Sequence, residues 1–329
     1  MRVSQPCFGP LIVAGATYSV KPPVPVIMGR VSEILRRILV PVDGSPAAER
    51  AIRVACALAR DRGGEVVFGD AVDHAAAIAE LTVPYGIPDA TPLLQALDDA
   101  AGGVCADAVK LAKAAGITAS SVVLEGQAAG AVVAYAGAHE IDTIVMGTRG
   151  ARGLERFFTG STADGVLRTS DVPTFVVQAV EHAAEPAFGR VLAAVDDSEA
   201  SAAAVAYALQ LLDTTGTALF VHVIPTADLG EKSREYGYDP RPILDEFRAA
   251  AQPFLDAATA QAKALGLASE AYVVEGDAVE EILSAATAHG ADAIALGTHG
   301  RRGLQRLFLG SVAEGVVSRS AVPVVVLRR

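Results

Sequence analysis

Short apolar runs alternate along this chain with longer stretches in which apolar residues recur at helical spacing. Arg37 to Asp43 opens the series: Ile38, Leu39, Val40 and Val42 form a run too short for a helix, and the run ends on a carboxylate. That pattern predicts a buried strand. Gly44, Ser45 and Pro46 follow, with Pro46 at a helix start, and Ala51, Ile52, Ala55, Cys56 and Ala59 then share one helical face up to Arg60. Gly63 and Gly64 stop that helix, and Glu65 to Ala71 predicts a second strand. After a segment punctuated by Pro84, Pro88 and Pro92, a long helix is expected over Leu93 to Ala115. A third strand follows at Thr118–Leu124, a helix at Ala128–His139, a fourth strand at Ile141–Met146, a helix at Thr162–Thr169 and a fifth strand at Val172–Val177.

The same series then repeats. Strands are predicted at Arg190–Asp196, Thr217–Val223, Glu270–Val274, Ala293–Leu296 and Val322–Leu327. Helices are predicted up to Leu212, over Pro242–Leu265 and over Val279–His289. Asp142–Ala179 and Asp292–Arg329 align without gaps at about half identity, which marks an internal duplication. The domain reading is an N-terminal extension over residues 1–35, expected to be disordered, a first domain over 36–180, a linker over 181–189 and a second domain over 190–329. Met28 lies just ahead of the first strand and is read as a candidate start of translation. Strands alternating with helices imply a parallel sheet covered on both faces. In such a sheet ligands bind at the carboxyl ends of the strands, where strand order reverses.

Two copies of one glycine pattern fall at those strand ends. The first is Gly147, Thr148, Arg149, Gly150, nine further residues, then Gly160, Ser161 and Thr162. The second is Gly297, Thr298, His299, Gly300, nine further residues, then Gly310, Ser311 and Val312. Glycine there permits backbone angles other residues resist and lets the chain come close to a ligand. A helix N-terminus after the loop adds N–H groups and about half a positive charge, which suits phosphate. Asp43 and Asp196 end the first strand of each domain, where a carboxylate can accept from a sugar hydroxyl or a base amino group. Arg149, Arg152 and Arg156 in the first loop, and Arg301, Arg302 and Arg306 in the second, fit either phosphate contact or solvated loop charge.

Composition narrows the function classes. A net charge of −11 argues against a nucleic-acid partner. The chain is 51% hydrophobic, yet no apolar stretch reaches the length a membrane helix requires. Cys7, Cys56 and Cys105 show no paired spacing, and the histidines show no metal-ligand spacing; His139 and His289 are expected at helix C-terminal ends. The chain has no GxxxxGK[ST], no GxGxxG after a strand, no GxSxG and no Ser/His/Asp set, so no catalytic residue is assigned.

A strand ending Val42-Asp43-Gly44-Ser45, then Gly-x-x-Gly, nine residues and Gly-Ser, closing on a Val-Pro strand, resembles the universal stress protein family, in its ATP-binding branch. The resemblance spans Arg37–Arg329 as two tandem domains. It implies two doubly wound, five-stranded parallel-sheet domains, Rossmann-like and similar to the adenine nucleotide alpha hydrolases, with pairing of the two domains through their last strands or a homodimer. It implies ATP, with or without Mg²⁺, in each domain. Carried over by position, Asp43 and Asp196 face the adenosine, with Pro41 and Ala194 beside them. The backbone at Ala71 and Val223 lines the base pocket, and Gly126 and Gly276 lie near the nucleotide. Gly147, Arg149, Gly150, Gly160, Ser161 and Thr162, and Gly297, His299, Gly300, Gly310, Ser311 and Val312, hold ribose and phosphates. Gly44 becomes Asp197 in the second domain, so that site is expected to be the weaker. The leading function is a cytoplasmic, nucleotide-dependent regulator of a stress or growth-arrest response, acting on an unknown protein partner. A slow ATPase or nucleotide-transferring enzyme, and a nucleotide-free scaffold, are the alternatives. A Val-rich last strand, if exposed, also favours pairing of two chains.

Overall fold

The structure is a computed structural model and describes residues 11–13, 16–18, 34–60, 62–82, 89–148, 160–179, 187–226, 233, 235–298 and 309–328. Within the N-terminal stretch expected to lack structure, β1 (Leu11–Val13) pairs antiparallel with β2 (Ala16–Tyr18). The first domain then runs β3 (Arg37–Pro41), α1 (Pro46–Arg60), β4 (Glu65–Val72), α2 (His74–Ala77), α3 (Thr91–Ala114), β5 (Thr118–Glu125), α4 (Ala128–Ala138), β6 (Thr143–Gly147), α5 (Ser161–Thr169) and β7 (Thr174–Val177). The second runs β8 (Arg190–Ala194), α6 (Glu199–Leu211), β9 (Thr217–Pro225), α7 (Arg241–Ala264), β10 (Ala268–Gly276), α8 (Ala278–Ala288), β11 (Ala293–Gly297), α9 (Ser311–Arg319) and β12 (Val324–Leu327). Asp73 caps α2 by accepting from the Ala76 amide at 2.9 Å, and a single π-helical stretch, Ile78–Thr82, continues it. Periodicity cannot show a helix this short, and the pattern had assigned nothing there.

Ten strands form one sheet in the order β10-β9-β8-β11-β12-β7-β6-β3-β4-β5. Inside each domain every pair is parallel, and the order reverses between β3 and β6 in the first domain and between β8 and β11 in the second. Those are the two crevices where a doubly wound sheet holds a ligand. Successive strand residues go to opposite faces, as the pleat requires. Ile38, Val40, Val66 and Phe68 join one core, while Leu39 and Val67 join another. The first of these cores is continuous through both domains and includes Phe175, Phe220 and Val325. Burying each such side chain contributes about 1.5–3 kcal/mol.

The domains join at β7 and β12, which pair antiparallel with Val324 opposite Val176 and Val326 opposite Thr174. The last strands are therefore not exposed edges: the two domains pair through them, as the resemblance implies, and the sheet edges are β5 and β10. Side chains reinforce the seam. The buried Arg50 guanidinium donates to Gln178 O at 2.7 Å and to Ala321 O at 2.8 Å. Arg62 donates to the carbonyls of Gln210 and Leu211 at the end of α6, both at 2.8 Å. Thr143 and Tyr207 share a buried hydroxyl hydrogen bond of 2.8 Å. One carboxylate per domain ties the start of the first strand to the fourth. Asp142 accepts from the amides of Leu35, Arg36 and Arg37, and Asp292 from those of Gly189 and Arg190. Among the described residues, no helix is long and apolar enough to cross a membrane.

Candidate functional site

Each crevice begins where the first strand ends. Asp43 Oδ1 accepts from the Ser45 amide at 3.0 Å, and Asp196 Oδ1 from the Ser198 amide at 2.9 Å. This tight Asx-type turn sends the chain straight into a helix. Ser45 and Ser198 then cap α1 and α6, accepting from the amides of Ala48 and Ser201. Ser201, which stands where the first domain has Ala48, also accepts from the Asp196 amide at 2.9 Å and donates to Ala194 O at 3.2 Å. The Asp196 amide is thus held by the Ser201 hydroxyl, a group that Ala48 does not supply in the first domain. Asp43 is exposed and Asp196 half-buried.

Strand two supplies the next wall. Ala71 is half-buried, and its amide bonds to the Asp70 carboxylate at 2.8 Å. Burial pushes the Asp70 carboxyl above the ordinary carboxylate value, and the nearby Asp43 charge adds to that rise. At the matching place in the second domain stands His222, beside the half-buried Val223. His222 is buried and its Nδ1 lies 2.7 Å from Val195 O. A carbonyl only accepts, so Nδ1 carries the proton in this bond.

The glycine patterns close the crevice, for a different reason from the one expected. Gly147 and Gly297 do not adopt left-handed backbone angles. A Cβ on Gly147 would lie 2.6 Å from Ala47 Cβ and 2.8 Å from Ala47 C; on Gly297 it would lie 2.7 Å from Ala200 Cβ. These glycines let a strand end touch the start of α1 or α6. Gly160 and Gly310 precede α5 and α9 with extended backbone, again without left-handed angles. Positive φ is instead the property of Gly126 (+107°) and Gly276 (+155°), which turn the chain after β5 and β10. Both loop ends are pinned. The Thr148 and Thr298 amides bond to Val177 O and Leu327 O, and their carbonyls accept from the Gly160 and Gly310 amides. Ser161, Ser311 and Val312 are exposed, and Thr162 is half-buried. Arg149, Gly150, His299 and Gly300, with the other loop arginines, lie outside the described residues.

A cavity of about 150 Å³ opens in the second crevice. Ala194, Asp196, Val223, Gly297 and Val312 line it, five of the residues chosen from sequence. Gly276, Gly310 and Ser311 are not in its wall. Ser201 and His222 are, and neither was chosen. Their signal was available in the duplication: they replace Ala48 and Asp70 at positions where the two copies otherwise agree in character. In the first domain the structure brings Pro41, Asp43 and Gly147 to the same strand ends, with Pro41 and Gly147 closing β3 and β6.

The sequence profile of the Universal stress protein family matches residues 35–178 and, a second time, residues 187–328. A universal stress protein of Methanocaldococcus jannaschii is 30% identical over 148 residues, covering 44% of this chain and 83% of that protein. One from Bacillus subtilis is 29% identical over 147 residues, covering 43% of this chain and 99% of that protein. Among solved structures, a universal stress protein from Archaeoglobus fulgidus has the same fold with a TM-score of 0.66 at 23% identity, covering 91% of this chain and 98% of that one. With both halves matched almost end to end, the chain belongs to the universal stress protein family, as two of its domains in tandem.

Proposed function

We propose that the chain binds ATP at the carboxyl ends of its strands and acts as a cytoplasmic, nucleotide-dependent regulator. Family membership supports a role in stress response. The observation that carries the nucleotide reading is the cavity at the β8/β11 crevice, whose wall contains the residues chosen for base and ribose. Asp43 and Asp196 offer carboxylate oxygens to a ribose hydroxyl or a base amino group. Gly147 and Gly297 keep the strand end free of side chain, and the starts of α5 and α9 present amides to phosphate oxygens, with Mg²⁺ as the counter-ion where one is bound. Nucleotide occupancy then biases a conformation or surface that a protein partner reads, which requires the partner to bind the occupied and empty forms differently.

Equilibrium dialysis of the full chain against labelled ATP tests this reading, with Asp43→Ala alongside. Loss of a charged hydrogen-bond acceptor is worth about 1.5–3 kcal/mol, so Asp43→Ala should weaken binding at its site by about tenfold or more. A wild-type chain that takes up no ATP at millimolar concentration overturns the proposal.

A further inference from the structure

Helices α5 and α9, whose first turns close the two crevices, meet across the seam. Leu167 in the last turn of α5 shares one buried cluster with Val316 and Val317 of α9. The last carbonyls of a helix have no partner inside it and must find one elsewhere. Here each helix finds it in the other domain. Gln178 Nε2 donates to Val317 O of α9 at 3.0 Å, and the Arg328 guanidinium donates to Arg168 O of α5. Gln178 and Arg328 hold the same position of the duplication, one residue past β7 and β12.

Each of these side chains also sits one residue from the anchor of its own domain's glycine loop. Val177 O accepts from the Thr148 amide at 2.9 Å, and Thr148 O accepts from the Gly160 amide at the start of α5. Leu327 O accepts from the Thr298 amide at 2.8 Å, and Thr298 O accepts from the Gly310 amide at 2.8 Å, at the start of α9. These links close into a ring. From the start of α5 it runs through Thr148, Val177 and Gln178 to the end of α9. From the start of α9 it returns through Thr298, Leu327 and Arg328 to the end of α5. Arg50 fixes one side of the ring, since its guanidinium holds both Gln178 O and Ala321 O, just past α9.

The ring thus contains both helix starts that the nucleotide reading gives to phosphate. A phosphate on the first amides of α5 fixes that helix along its axis. The last turn of α5 then steadies Arg328, and with it Leu327 and Thr298 at the base of the other loop. A second ligand finds part of this ordering already done and loses less entropy on binding. We propose that the ring couples the two crevices, so that ATP in one raises the affinity of the other for ATP by about fivefold or more. This rests on the reading of both crevices as nucleotide sites. The tandem chain then responds to ATP more steeply than one domain alone.

Hydrogen exchange read by mass spectrometry, with equilibrium dialysis against labelled ATP, tests it on the full chain. Asp196→Ala weakens the second crevice, and ATP is set at a concentration that fills the first alone. Exchange should then slow in α5 and also, by about fivefold or more, in the last turn of α9, whose own crevice is empty. Asp43→Ala, read at the end of α5, is the reciprocal arm. Gln178→Met with Arg328→Met removes both donors, keeps much of the side-chain bulk and alters no residue assigned to nucleotide. That variant should bind two ATP independently, where the wild-type chain binds them with positive cooperativity. If calorimetry shows the variant unfolded, the two single-site arms decide alone. ATP that slows one helix and leaves the other unchanged, or a Met variant as cooperative as wild type, overturns the coupling and leaves nucleotide binding standing. A chain that takes up no ATP overturns the nucleotide reading itself, and this inference with it.

Discussion

Substituting Gly147 by alanine probes the contact on which the first crevice depends. The added Cβ would lie 2.6 Å from Ala47 Cβ, 2.8 Å from Ala47 C and 3.1 Å from Ala47 O. Carbon atoms rest at about 3.5–4.0 Å, so the end of β6 and the start of α1 must separate by about 1 Å. Two of the three opposing atoms are backbone, which leaves no side-chain rotation to relieve the overlap. Overpacking of this kind costs about 1–3 kcal/mol. In a cooperative unit of about 150–250 residues each kcal/mol lowers Tm by about 2–4 °C, so Gly147→Ala should melt about 2–12 °C lower. Scanning calorimetry of the full chain reads this directly. Adding Ala47→Gly should restore part of the loss, since it removes the Cβ contact and not the backbone one. Gly103→Ala is the control: Gly103 is exposed in α3 with open space around it, and alanine there should stabilise by about 0.5–1 kcal/mol. A Gly147→Ala chain melting within about 1 °C of wild type refutes the close-approach explanation.

Further predictions concern the seam, the strand clamp and the cysteines. Arg50→Ala removes two hydrogen bonds from a buried cation, one crossing to the second domain, and should cost about 1.5–3 kcal/mol in urea unfolding; Arg50→Lys should recover less than half, because an ammonium lacks the guanidinium fork. A loss below about 0.5 kcal/mol for Arg50→Ala would exclude that role. Burial pushes the Asp142 carboxyl above its ordinary 3.8 despite its backbone amides. The folded chain then holds this proton more tightly than the unfolded one, so its contribution to stability falls as pH rises through the window just above 3.8. Asp142→Asn should lack that step in the pH dependence of Tm, and an unchanged step would sink the assignment. The Cys105 thiol is pushed up to about 11, by burial first and then by Asp70; it should resist iodoacetamide at neutral pH until the chain unfolds, and mass mapping that finds it alkylated in the native protein would contradict this.

Much of the fold could be read from the chain because apolar runs such as Ile38–Val40 and Ile144–Met146 are buried on both faces, and only a parallel sheet requires that. The edge strand β10 was harder: its residues are half-buried, its pattern is mixed, and the structure extends it to Ala268–Gly276 beyond the expected Glu270–Val274. The seam follows from the family resemblance and not from the strand's own pattern: a Val-rich last strand looks like an exposed edge until its partner is known, and here the partner is the same segment of the other domain. The glycine pattern falls at the strand ends, but at Gly147 the structure needs the missing Cβ and not an unusual backbone angle. Sequence cannot separate a glycine needed for its angle, such as Gly126, from one needed for its missing Cβ, such as Gly147. Ser201 and His222 differ from Ala48 and Asp70 in the duplication, but only the structure shows that the difference falls in the wall of a cavity.

The central claim is that this protein holds an adenine nucleotide, and the most direct measurement is of what it carries. The chain would be purified without added nucleotide and denatured, and the released small molecules identified and counted by chromatography with mass detection. Release of ATP or ADP at about one per chain or more is the predicted result. No release, together with no uptake when ATP is supplied, would contradict the account and leave a duplicated scaffold.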